Sequence, residues 1–137
     1  MILVDTSIWS LALRRRSVDL NHQERSMRAD LETLLADGKV QLLGVVRQEL
    51  LSGIREEAHY ERLRRSLRAF RDVELAVEDY EEAAHVSNLC RSAGIAGNPI
   101  DFLICAVAIR RGWLVFTADH DFTLYSRHLP LSLVQTR

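Results

Sequence analysis

Lysine is almost missing from this 137-residue chain: Lys39 stands alone, and every other basic side chain apart from histidine is an arginine. Cysteine is nearly as scarce. Cys90 and Cys105 have neither zinc-type spacing nor a Cys/His motif around them, which argues against a disulfide framework and a thiol nucleophile; Cys105 lies in an apolar stretch and reads as a small core residue. No apolar run approaches the roughly 20 residues of a membrane span. The opening Met1–Val4 meets an acid at Asp5, which predicts no secretory signal and a cytoplasmic location. A Gly-x-Ser-x-Gly turn is lacking, and Gly94-Ile95-Ala96-Gly97 is too short for a phosphate-cradling loop and lacks its lysine. The five histidines, His22, His59, His85, His120 and His128, show no ligand-like spacing.

What is present is the composition of an ordinary folded domain, 47% hydrophobic and 27% charged with a formal net charge of -1. Its length predicts a single domain over residues 1–137, without internal repeat or linker. The arginines cluster at Arg14–Arg16, at Arg62, Arg64, Arg65, Arg68 and Arg71, and at Arg110–Arg111. Such clusters suit either a solvated helix face or bidentate contacts to phosphate oxygens.

Hydrophobic periodicity predicts a strand at Met1–Val4, a helix at Ile8–Leu13, a helix at Asn21–Ala36 and a strand at Val40–Leu43. Helices follow at Val45–Ile54 and His59–Phe70, then a strand at Val73–Ala76 and a helix at Val77–Ala93. Beyond the Gly94–Pro99 break come an apolar helix at Ile100–Ile109, a strand at Trp113–Thr117 and a last strand at Leu131–Val134. Short apolar strands alternating with helices predict an α/β protein, a three-layer α/β/α sandwich with a mainly parallel central sheet. Ligands of such sheets bind beyond the carboxyl ends of the strands, where Asp5 and Asp119 follow predicted strands and Glu49 and Asp101 open predicted helices.

Each acid has an ordinary reading. Asp5 could cap the first helix, and Asp119 and Asp121 could be turn residues. With Asn98 as N-cap and Pro99 at N1, Asp101 stands at N3, which the helix dipole favours. Glu49 falls on the apolar arc of Val45, Val46, Leu50 and Ile54, so it needs a partner such as an arginine. Against four separate explanations stands one. The all-apolar helix after Asp101 places small Cys105 and Ala108 nearest to it, leaving room for an ion. Four converging carboxylates repel one another unless divalent metal holds them, and oxygen-only ligands suit Mg2+ or Mn2+ better than zinc.

Val4-Asp5-Thr6-Ser7, Gln48–Gly53, Pro99-Ile100-Asp101 leading into Leu103–Ala106, and Thr117–Phe122 stand in the order and spacing of the PIN domain. The chain resembles that family from Ile2 to about Val134, and within it the small VapC-type toxins of type II toxin-antitoxin systems. The resemblance implies a single-strand-preferring endoribonuclease with Mg2+ or Mn2+ in a two-metal site, a VapB-like antitoxin as partner, and a homodimer as the expected assembly. It matches Asp5, Glu49, Asp101 and Asp119 to the family's acidic quartet. Asp121 is a further metal ligand, with the choice between Asp119 and Asp121 open, and the hydroxyls of Thr6 and Thr117 stand behind the acids. Trp9, Leu11, Leu13 and the helices through Leu50 and Leu63 are expected to offer the antitoxin an apolar groove.

Other readings fit less well. A haloacid-dehalogenase-like phosphatase needs a second Asp two residues after the first, where this chain has Ser7, and a receiver-type domain needs adjacent acids after the first strand. A non-enzymatic α/β interaction module would pair the acids with arginines. An RNA-processing nuclease outside any toxin system shares the same site.

Overall fold

The computed structural model describes residues 1–135; the last two residues of the expected domain, Thr136 and Arg137, lie outside the described residues. Its centre is β1 (Ile2–Val4), flanked in parallel by β2 (Val40–Gln41) and β3 (Leu114–Phe116) in the order β2-β1-β3. The register pairs Ile2 with Val40 and Leu114, and Val4 with Phe116. Successive strand residues point to opposite faces. Leu3, Val4, Val115 and Phe116 are all fully buried, so both faces of the sheet are covered, as expected of short all-apolar parallel strands.

The helices are α1 (Thr6–Leu13), α2 (His22–Ala36), α3 (Gly44–Leu51), α4 (Glu57–Leu67), α5 (Val77–Ser92), α6 (Pro99–Arg111) and α7 (Asp121–Ser126). α1 packs against α2 and α3, while α5 packs along α6, giving the α/β/α sandwich. Buried side chains of sheet and helices form one hydrophobic cluster. α6 is its densest part: Phe102 through Ala108 are all buried. Its start is set as the sequence predicts, by Asn98 accepting from the Asp101 N–H and by Pro99 in the first turn. Its end is Gly112, at φ 68°, a left-handed conformation that turns the chain directly into β3.

Two predicted strands reduce to single bridges. The strand at Val73–Ala76 is absent, and only Asp72 pairs, with Leu42. The Val73 N–H donates to the Leu42 carbonyl, but beyond it side chains engage the backbone: Arg111 donates to the Glu74 carbonyl, and the Ala76 N–H donates to Asp79. The strand at Leu131–Val134 shrinks to Leu133 against Val115, because the Leu131 N–H turns back to the Leu129 carbonyl. These bridges extend the parallel sheet by one residue's width at each edge.

Asp79 is a feature the sequence does not announce. It is completely buried, and it receives Arg110 at 2.6 Å and Arg111 at 2.7 Å. The arginines hold its carboxyl well below the usual range, Arg111 most of all. Arg110 and Arg111 thus fasten α6 to the start of α5, and the phosphate-binding reading of this pair is replaced by a structural one. The apolar-groove expectation is also corrected. Trp9, Leu11, Leu50 and Leu63 are core residues, each no more than 4% exposed. The groove of about 350 Å3 beside Leu13 and Leu63 is lined instead by Arg14, Arg15, Arg16 and Arg62.

Candidate active site

The sheet ladder itself builds the first half of the site. The Asp5 N–H donates to the Phe116 carbonyl at 2.9 Å, one step beyond the last β1–β3 pair, which sets Asp5 beside Thr117. By position Asp5 is the N-cap of α1, but its side chain makes no capping bond. Asp5 Oδ2 accepts from Ser7 Oγ at 2.8 Å and from Thr117 Oγ1 at 2.9 Å. Both hydroxyl donors fall on the same oxygen. Burial raises the Asp5 carboxyl above its ordinary value, with the two hydroxyls opposing the rise.

Thr117 carries the link onward, because its Oγ1 also accepts from the Asp119 N–H at 2.9 Å. Ser7 Oγ accepts from the Ala118 N–H at 2.9 Å, stitching the loop after β3 to the turn after β1. Asp119 Oδ1 in turn accepts from the Asp121 N–H at 2.9 Å, an Asx turn that starts α7. The turn-residue reading of Asp119 is therefore correct, and it leaves the other oxygen of that carboxylate unspent.

Asp101 enters from α6. It is 6% exposed, and its Oδ2 accepts from Tyr125 Oη at 2.8 Å. Burial pushes its carboxyl up to about 6, the charges of Asp5 and Asp119 add to that, and the Tyr125 hydroxyl and, more weakly, the Asn98 side chain counter it. The Tyr125 phenol is displaced upward, first by burial and then by its bond to Asp101, which keeps it a donor. Carboxylate oxygens of Asp101, Asp119 and Asp121 lie within 4.8 Å of one another. The structure thus brings both Asp119 and Asp121 to Asp101 and does not choose between them.

Glu49 is held differently. Half-buried on α3, it accepts a short hydrogen bond from the Thr6 hydroxyl at the start of α1. It stands outside the Asp101–Asp119–Asp121 group, tied to it through the α1 N-terminus that also carries Asp5 and Ser7. Among the described residues none of Asp5, Glu49, Asp101, Asp119 or Asp121 forms a salt bridge; the arginines pair with Glu24, Glu32, Glu61, Asp72 and Asp79. Arginine neutralisation, which an interaction module would show, is not how these acids are arranged.

A cleft of about 550 Å3 opens at Thr117, Asp119 and His120, with Gln23 and Met27 of α2 and Thr123 and Ser126 of α7 on its walls. Of the five acids, Asp119 alone is part of its lining. Sequence reasoning missed Ser7 and Tyr125. Ser7 was readable only as a helix-start residue. Tyr125 shares the buried face of α7 with Phe122, three residues away, which signals that its hydroxyl needs a partner but not which one.

An all-carboxylate cluster with oxygens this close, no neutralising cation among the described residues and a raised Asp101 is a donor set that fits a hard divalent ion. Buried Cys105 beside it is pushed far above the ordinary thiol range and is inert.

No curated protein matches the sequence. Among solved structures the chain is similar to FitAcB from Neisseria gonorrhoeae, with a TM-score of 0.76 at 20% identity over 98% of this chain and 97% of that one. It is similar to VapBC2 from Rickettsia felis bound to a promoter DNA fragment, at 0.73 and 21% over 98% of each chain. It is also similar to VapC20 from Mycobacterium tuberculosis, a sarcin-ricin loop cleaving toxin, at 0.64 and 18% over 90% of this chain and 94% of that one. The family model of the PIN domain matches residues 2–127, from β1 through α7 with all five acids inside it, and the chain belongs to the PIN domain family.

Proposed function

We propose that this protein is a Mg2+- or Mn2+-dependent endoribonuclease and the toxin of a VapBC-type module. The observation that carries the reading is the convergence of Asp101, Asp119 and Asp121 with no cation paired to them among the described residues, and with Asp5 joined to them through Thr117. Asp5, Asp101, Asp119 and Asp121 would hold the metal, and Glu49 would hold a second ion or orient the attacking water. Bound there, two divalent ions would acidify water and stabilise the attacking and leaving oxygens of an in-line displacement at phosphorus.

The chain's own contribution is preorganisation. Ser7 and Thr117 fix Asp5 by one oxygen and Thr6 fixes Glu49, so these two carboxylates are held in place before substrate arrives. The cleft that Asp119 lines would give a strand of RNA room to approach that edge of the cluster. RNA is preferred over DNA as substrate because the similar VapC20 is a sarcin-ricin loop cleaving toxin.

The partner follows from relatives of the same fold, several of which are toxin-antitoxin complexes. A VapB-like antitoxin that places an arginine among the acids would compete with metal and silence the enzyme. A homodimer is the expected assembly and the cytoplasm the expected location; no helix among the described residues is long and apolar enough to cross a membrane. The test is to offer the purified protein single-stranded RNA and DNA of one sequence with Mn2+ or with chelator, alone and with the product of the adjacent small gene. Metal-dependent cutting of RNA, abolished by that product, is expected. Cutting unaffected by the neighbour would replace the toxin with a housekeeping RNA-processing nuclease.

A further inference from the structure

Tyr125 is completely buried, and its ring is fixed from two sides. Phe102 of α6 and Phe122 of α7 each lie 5.3 Å away between ring centroids, the second edge-on at 74°. With the ring plane set, the hydroxyl has one direction, and it meets Asp101 Oδ2 at 2.8 Å. The loop before α6 closes over this bond. A Cβ added at Gly97 would stand 2.7 Å from the Tyr125 oxygen and 2.5 Å from the Phe102 ring, so only glycine fits.

Resting on the metal-binding reading above, we infer that Tyr125, sealed in place by Gly97, is a positioning residue that holds Asp101 by Oδ2 and turns its other carboxylate oxygen toward the metal. A carboxylate with one oxygen already bonded binds an ion through the other. Mg2+ and Mn2+ accept that mode in a tight octahedral shell, whereas Ca2+ is larger and takes bidentate carboxylates in a looser one. The hydrogen bond therefore acts on selectivity as well as affinity.

The experiment measures Mn2+ and Ca2+ affinity by calorimetry on the purified parent, Tyr125→Phe, Gly97→Ala and the double variant. Melting curves in chelator establish that each is folded. Tyr125→Phe keeps both ring contacts and loses only the hydroxyl. It is expected to weaken Mn2+ about ten-fold, the scale of one hydrogen bond to a charged group, and Ca2+ less, so that the Mn2+/Ca2+ preference falls. Gly97→Ala is expected to act in the same direction, and in the Tyr125→Phe background, where only its clash with the Phe102 ring remains, to shift the Mn2+/Ca2+ preference no further. A parent that binds Mn2+ while Tyr125→Phe binds it equally, or weakens both ions alike, overturns the positioning role and leaves the metal reading standing. A parent that binds no Mn2+ overturns both.

Discussion

Burial and the charges of Asp5 and Asp119 push the Asp101 carboxyl up to about 6 from an ordinary 3.8, so in this pH range the folded metal-free protein binds more protons than the unfolded chain. Stability is then greatest below the ordinary value and is lost as pH rises through about 6, a change on the order of 2–3 kcal/mol. Asp5 is raised as well and acts with the same sign. Asp79 acts with the opposite sign, but its contribution is lost only as pH falls below the ordinary carboxylate range. Urea unfolding in chelator at pH 4 and pH 7 is expected to show the parent weaker at pH 7. Asp101→Asn should be more stable than the parent at pH 7 and close to it at pH 4; equal pH slopes for the two would contradict this account. Thr117→Val tests the link between acids, because it removes the donor to Asp5 and the acceptor for the Asp119 N–H without changing side-chain volume much. A ten-fold or larger fall in RNA cleavage is expected, with about 1–2 kcal/mol lost in stability; unchanged cleavage would show that the link does not organise the site.

Among the elements, α6 matters most, because it carries Asp101 at its start and the arginines that grip Asp79 at its end. Asp79→Asn removes the charge that two partly exposed arginines hold and is expected to cost about 2 kcal/mol, the scale of a hydrogen bond to a charged group, read as a lower urea midpoint. RNA cleavage per folded molecule should persist, as Asp79 is no part of the acidic cluster; a fold as stable as the parent would remove the latch from the account. This element also shows what a sequence discloses. Asn98, Pro99 and Gly112 announce both ends of α6 through local backbone chemistry. The partners of its polar side chains, Tyr125 for Asp101 and Asp79 for Arg110 and Arg111, lie 24 to 32 residues away and follow from packing alone. The weak edge pairings failed for the same reason: Val73–Ala76 has strand composition, yet Arg111 and Asp79 occupy its backbone groups.

At the scale of the whole molecule, the α/β/α architecture was legible because alternating short apolar runs and amphipathic helices leave few other ways to cover a parallel sheet. The site was legible as a set of acids but not as a wiring diagram. Position after a strand located Asp5 and Asp119, whereas the hydroxyl bridges that join them depend on the β1–β3 register. The surface was least legible: residues expected to form a partner's groove proved to be core, and arginine clusters divided between ion pairs and an open groove. The central claim is that the carboxylate cluster holds divalent metal and thereby cuts RNA. Its most direct measurement is the rate of single-stranded RNA cleavage against Mn2+ concentration for the parent, Asp5→Asn and Asp101→Asn, each shown to be folded. Saturable Mn2+-dependent cleavage by the parent, lost by at least a hundred-fold in both variants, is expected on the order of a removed preorganised charge. Cleavage by either variant at the parent's rate, or by the parent in chelator, would contradict it.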